Sequence, residues 1–201
     1  MGKRTISTLL SLALAASLSP YAQPQQSGPP PLPPLATPLV LTLPGFTDGS
    51  RIPGKYTCMA LPNVVSPEMH WKQAPAATQS FMLVFHDLEP RPAKGLMDNS
   101  HWILWNIPAR STGLPENVPA GATLPDGTHQ MKRARTIPGS PYSYYGPCAG
   151  PGPNHHYVFE LYALDTTLNL PDDATRADIL KAANGHILDA SGWFGFFHRE
   201  K

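Results

Sequence analysis

The sequence predicts a mainly β domain built as a sandwich, on three observations. Short runs rich in β-branched and aromatic residues recur from Leu39 onward, separated by Pro, Gly and Asn turns. Proline supplies 25 of the 201 residues, which a helix bundle would not tolerate. Charged residues make up only 14%, against roughly 25% in an average soluble chain, so the Ala/Glu/Lys/Leu periodicity of a bundle is missing. The length allows one domain with a real core and is too short for a second once any tails are removed. A formal charge of +1, with both signs spread along the chain, argues against nucleic acid as a partner. Outside the N-terminus there is no apolar run of about 18 residues, so no transmembrane segment is expected in the mature chain.

The elements follow in order. Lys3 and Arg4 precede an apolar stretch, Thr5 to Leu18, that ends at Pro20, and small residues lead up to Ala22. This is the order of an export signal, so residues 1–22 are expected to be a signal peptide and the protein periplasmic or secreted. The stretch is short for an uncleaved anchor, and no cysteine near the cut suggests a lipoprotein. Residues 23–38 (QPQQSGPPPLPPLATP) favour polyproline II and are read as a disordered spacer, with a proline-rich ligand for another domain as the sharper alternative. The domain then occupies residues 39–201. Its expected strands are Leu39 to Leu43, Glu68 to Trp71, Ser80 to Asp87, His101 to Ile107 and His155 to Leu164. Three of these are apolar on both alternating faces and should lie centrally, covered on both sides. Ala174 to Asn184 has helical spacing with Gly185 as a stop, and Gly185 to Ala190 is expected to add a second short turn. Gly192 to Arg199 reads as a closing strand.

A sandwich says nothing by itself about function. No HExxH, GxSxG or GxxxxGK is present, and the glycines of GPCAGPGP precede a strand where a dinucleotide fingerprint would follow one. Polar residues nevertheless stand at three strand ends: Asp87, His101, and His155 with Tyr157. Alternation puts His155, Tyr157 and Phe159 on one face and His156 on the other. The same rule groups Phe81, Leu83, Phe85 and Asp87, and groups His101, Ile103, Trp105 and Ile107. Two imidazoles, a carboxylate and a phenol could then meet at one edge of the core. Such donors in a concave site favour an anion, with the carboxylate orienting or protonating a histidine. They could equally be satisfied strand ends with no ligand. A metal site of two His and one carboxylate lacks a companion ligand motif, so neither a metal nor any other cofactor is expected.

The segments HDLEP (86–90), HWILWNIP (101–108), LPENVPAGATLPDGTHQ (114–130), GPCAGPGPNHHYVFELYALD (146–165) and ATRADILKAANGHIL (174–188) together resemble the phosphatidylethanolamine-binding protein family. Within it they are most similar to the bacterial YbhB/YbcL branch, described as Raf kinase inhibitor-like. The resemblance implies a β-sandwich of the phosphatidylethanolamine-binding type, with a small anion pocket at one end and short C-terminal helices. Carried over residue by residue, it implies that Asp87, His101, Gly146, Pro147, His155 and Tyr157 bind ligand. Two departures stand out: the family's DPD is here Asp87-Leu88-Glu89, which alters the rim, and its HRY is His155-His156-Tyr157.

Cys58 and Cys148, in an exported chain, read as one disulfide, with a pair of buried thiols as the alternative. Neither is flanked by a base that would make it catalytic. The expected function is a non-catalytic exported binding protein for a small anionic or phosphorylated ligand. The alternative is a protein-interaction or inhibitor module that acts on a protease or kinase through the pocket rim.

Overall fold

A computed structural model describes residues 37–91, 93–133 and 139–200, together with Gly2. Apart from Gly2, the expected signal peptide lies outside the described residues, as does nearly all of the proline-rich spacer. In chain order the elements are β1 (Val40–Thr42), β2 (Ser50–Arg51), two 3-10 turns (Gly54–Tyr56 and Cys58–Ala60), β3 (Met69–Lys72), β4 (Ser80–Asp87) and β5 (Asn99–Pro108). There follow β6 (Gly113–Leu114), β7 (His129–Gln130), β8 (His155–Leu164), α1 (Arg176–Ala183) and β9 (Ile187–Phe197). A small sheet has the order β1-β3-β6, and a large one β2-β9-β8-β4-β5-β7, antiparallel except for the β2–β9 pair.

The doubly apolar strands lie centrally, as their pattern requires. All eight residues of β4 are buried, between β5 and β8. Phe81, Leu83 and Phe85 join Trp102, Leu104, Phe159 and Leu161 in a core shared with Leu41, Met69 and Trp71 of the small sheet. Met82, Val84, Ile103 and Trp105 face the other way, onto Leu168, Ala174, Ile179 and Ala183 around α1. Burying a large apolar side chain is worth about 1.5–3 kcal/mol, so covering both faces is what makes such a strand stable.

The helix starts where its sequence says it should. Thr175 and Asp178 form a reciprocal capping box, and the chain turns at Gly185, whose φ of +88° suits a residue without Cβ. The expected second turn over Gly185 to Ala190 is corrected: among the described residues α1 is the one α-helix, and β9 begins at Ile187. The outer edge of β8 needs a partner for its backbone groups, and pairing Ile187 with Leu164 and Asp189 with Ala163 supplies it, which a local turn would not.

The expected grouping of His101 with Ile103, Trp105 and Ile107 is also corrected. The β4–β5 register shifts twice, between Phe85 and His86 and between Phe81 and Leu83. The first shift leaves His101 as an extra residue between Ser100 and Trp102, so its ring packs on Phe85 and Tyr157 of the inter-sheet core. The second lies at Asn106, φ +55°, and returns Ile107 to that core while Ile103 and Trp105 face α1.

Candidate binding cavity

One rung at the end of the large sheet aligns Asn99 of β5, Asp87 of β4 and Tyr157 of β8. Their side chains share the inner face, His155 follows two residues along, and the bulge brings in His101. The resulting cavity, of about 530 Å³, is lined by these five with Pro90, Tyr145, Cys148, Ala149 and Gly150.

Asp87 is the hub. It is 3% exposed, and its carboxylate accepts hydrogen bonds from His155 Nδ1 at 2.8 and 3.1 Å and from the backbone N–H of Glu89 at 3.1 Å. Burial raises its pKa above the ordinary aspartate value in spite of these bonds, so His155 is a structural counterweight to a desolvated charge. His101 is held separately. Its Nδ1 donates to the Tyr145 carbonyl at 2.9 Å, its Nε2 meets the Asn99 amide at 3.1 Å, and Asp87 Oδ2 is 4.0 Å away. The ring lies flat on Tyr145, 4.6 Å between centroids, and edge-on to Tyr157. The Tyr157 hydroxyl is fully buried beside the Asp87 carboxylate without reaching hydrogen-bond geometry, and burial together with that carboxylate pushes its pKa far up. It is therefore a neutral donor whose nearest acceptor is the Asp87 carboxylate.

The wall opposite the sheet is the 145–150 segment. The Cys58–Cys148 disulfide, with Cα atoms 5.3 Å apart, ties it to the second 3-10 turn, and the Cys58 N–H donates to the Pro147 carbonyl at 2.9 Å. Gly146 and Pro147, which the resemblance placed among the ligand-binding residues, stand in this segment between the lining residues Tyr145 and Cys148 and are not themselves among the residues that line the cavity. Gly146 packs directly on the backbone of Tyr56 and Thr57, where a Cβ would collide with the Tyr56 carbonyl. Sequence reasoning missed Asn99 and Tyr145. Asn99 was legible as the residue that must face Asp87 once the strand is extended by two residues, whereas Tyr145 had no signal beyond its place beside the glycine-proline pair.

The rim carries Glu89. Its carboxylate accepts from the backbone N–H and from Nδ1 of His156, both at 2.7 Å. Partial burial works against ionisation there, but the His156 bonds overcome it and hold Glu89 below the usual glutamate value. His156 itself faces away from the cavity, as alternation requires.

A two-layer β-sandwich thus carries a cavity with several polar groups in its lining at the end of its central strands. The sequence model of the phosphatidylethanolamine-binding protein family matches residues 42–198, and the chain belongs to that family. It is 40% identical over 154 residues to a UPF0098 protein of Methanothermobacter thermautotrophicus, covering 77% of this chain and 95% of that one. A UPF0098 protein of Pyrococcus abyssi is 33% identical over 156 residues, covering 77% and 83%. Among solved structures, the phosphatidylethanolamine-binding protein homologue CT736 of Chlamydia trachomatis superposes with a TM-score of 0.68 at 26% identity, covering 81% and 99%. Escherichia coli YbcL does so at 0.69 and 20% identity, covering 81% and 99%, a likeness of fold. The family thus agrees with the resemblance in the motifs.

Proposed function

We propose that this is a non-catalytic exported binding protein whose cavity captures a small phosphate-like or carboxylate group, such as a phospholipid head group or a phosphorylated ligand. The observation that carries the reading is the convergence of two imidazoles, the Asn99 amide and the buried Tyr157 hydroxyl on one cavity around the buried Asp87 carboxylate. Capture is by hydrogen bonding. With Nδ1 of His155 donating to Asp87 and Nδ1 of His101 donating to Tyr145, a second donor at Nε2 exists only in the imidazolium, and at His101 the ligand must displace the Asn99 amide that Nε2 now meets. A dianion favours that form, so binding tightens as pH falls. Asp87 positions His155 and would also meet a cationic group on the ligand, such as the ammonium of ethanolamine.

Two features support the rest of the reading. The one cysteine thiol at the cavity, Cys148, is tied up in the disulfide and cannot act as a nucleophile. The disulfide also belongs to an oxidising compartment, which fits removal of residues 1–22 on export and a spacer over residues 23–38.

Titration calorimetry with inorganic phosphate and phosphoethanolamine tests the proposal, on wild type, His101→Ala, His155→Ala and Asp87→Asn at pH 5.5 and 8. Losing either imidazole removes a charge-assisted hydrogen bond of about 1.5–3 kcal/mol, roughly ten- to a hundredfold in affinity. Asp87→Asn costs less than either if the carboxylate only orients His155, and more for phosphoethanolamine than for phosphate if it touches the ammonium. Equal affinity in all four proteins at both pH values refutes the reading and leaves the rim as a protein-docking surface.

A further inference from the structure

The connection from β4 to β5 leaves the last rung of the large sheet at Asp87, passes Pro90 on the cavity lining and returns at Asn99. A connection in water is expected to be polar at its tip, and this one is apolar. Leu96 is 100% exposed, Met97 beside it is half-exposed, and Leu88 at the start of the same connection is also exposed. Leu88 shares a shallow hollow with the exposed Phe194, and Met97 shares a depression with Lys132. Apolar side chains scattered singly over a surface need no explanation, whereas several on one connection beside a cavity mark a docking surface. We infer that the tip of this connection, residues 93–97, docks on anionic phospholipid membranes, seating Leu96 and Met97 among the head groups and bringing the cavity mouth to the lipid surface.

Shape and charge favour a bilayer over a protein partner. Protein interfaces are anchored by aromatic and Arg side chains that fill matching pockets, and this tip carries two aliphatic ones instead. The tip also stands clear of the body, since a Cβ added at Gly95 would meet nothing within 4 Å. It is a shaped turn: the Lys94 N–H donates to the Arg91 carbonyl at 2.9 Å, and Lys94 takes a φ of +55°. Arg91 donates in turn to the Leu88 and Pro90 carbonyls, which keeps its guanidinium at the base of the turn. Neither Arg91 nor Lys94 has a carboxylate partner among the described residues, and both are exposed. The acids of the connection are already engaged, Glu89 by His156 and Asp98 by His86 and Arg176. The charges offered beside Leu96 are therefore positive, and in the depression beyond Met97 Lys132 and Arg133 outnumber Asp173. Apolar side chains flanked by cations are what an anionic lipid surface attracts. The docking goes beyond the anion-binding reading and stands without it.

Co-sedimentation with vesicles tests it, using phosphatidylcholine alone and phosphatidylcholine with about one-third phosphatidylglycerol. The test variants are Leu96→Ser with Met97→Ser, and Lys94→Gln, all at exposed positions where folding is checked by thermal melting. Leu188→Ser is the control, an exposed apolar residue near the opposite end of the β8–β9 pair, where Ile187 meets Leu164. Wild type is expected to bind the anionic vesicles. The double variant loses at least about tenfold in affinity, because the burial of two large apolar side chains is forfeited. Lys94→Gln loses about fivefold on anionic vesicles and nothing on phosphatidylcholine, and Leu188→Ser binds as wild type does. Excess phosphoethanolamine leaves wild-type binding in place, since the tip and the cavity act separately. Equal binding by wild type and the double variant overturns the docking. No wild-type binding to either vesicle also overturns it and turns the tip over to a protein partner. Release of wild type by phosphoethanolamine, with the double variant binding as wild type does, means that the cavity alone holds the lipid, which overturns the docking and leaves the proposed function standing. Vesicle binding through the tip by a protein that binds no phosphate in calorimetry supports the docking and fails the anion reading.

Discussion

Replacing His86 by Gln should destabilise the protein most near pH 5.5 and progressively less toward pH 9. His86 lies on the sheet face opposite the cavity, with Nδ1 2.6 Å from Asp98 Oδ2 and Nε2 3.2 Å from Glu160 Oε2. Arg176 of α1 bonds the same Asp98. Burial disfavours the imidazolium, but Glu160 and Asp98 outweigh it and hold the His86 pKa above its ordinary 6.5. Glu160 is lowered below 4.5 chiefly by His86, and Asp98, against its burial, below 3.8 by Arg176 and His86. A raised histidine stabilises fully below its unfolded pKa and loses that contribution as pH climbs through the folded value. A depressed carboxylate stabilises above its unfolded pKa and loses that contribution as pH falls through the folded value. The network is therefore complete between about pH 5 and 6.5. The His86 and Asp98 side chains are 8% and 11% exposed, so one charge-assisted bond of about 1.5–3 kcal/mol is at stake. Glu160, 37% exposed, adds little, and Arg176 keeps Asp98 from becoming an orphaned charge, which would cost about 3–5 kcal/mol. We expect a loss of about 2 kcal/mol at pH 5.5, or roughly 4–8 °C in melting temperature for a domain of this size. At pH 9 the difference should fall below about 1 kcal/mol, since both proteins are then neutral at position 86. Calorimetric melting at pH 5.5, 7 and 9 measures it. A difference that is constant, or that grows with pH, refutes the reasoning.

Four further outcomes are expected. The Cys58→Ser, Cys148→Ser double variant opens a loop with a sequence separation of 90, for which chain entropy gives about 4 to 5 kcal/mol, read by urea unfolding. Gly146→Ala should cost about 1–3 kcal/mol, because the atoms it meets are the backbone of Tyr56 and Thr57, and an unchanged urea midpoint would contradict that packing. Tyr157→Phe should change stability by less than about 1 kcal/mol, since the hydroxyl stands beside Asp87 without a well-formed hydrogen bond, yet weaken phosphate binding in calorimetry. N-terminal sequencing of the exported fraction should begin near Gln23, and recovery of the intact Met1 form only in the cytoplasm would contradict export.

Strands with a strict pattern were legible because burial on both faces leaves little choice of residue. Ser80–Asp87 and His155–Leu164 have the bounds that their apolar runs predict. The helix start was legible because a cap is a local interaction between Thr175 and Asp178. Period-two alternation put His155 and Tyr157 on one face of their strand and Asp87 with Phe85 on one face of theirs, and the β4–β8 register then makes the two faces one.

Where the structure departed from that reading, a distant partner made the decision. His101 reaches the cavity through a bulge, and an extra residue in one strand is defined only against its neighbour β4. Residues 187–190 became strand because the edge of β8 needed hydrogen bonds, a demand invisible in their own composition. Gly146 is fixed in the wall segment by the backbone of residues 56 and 57, some ninety positions earlier, which packs on it. Glu89 has its carboxylate fixed by His156, which lies 67 positions later in the chain. The sequence by itself thus determined the family, the sandwich and the polar residues that crowd its end, since periodicity and capping act over a few residues. Register, wall and rim were left to the tertiary structure, because each depends on a contact between segments that only folding brings together.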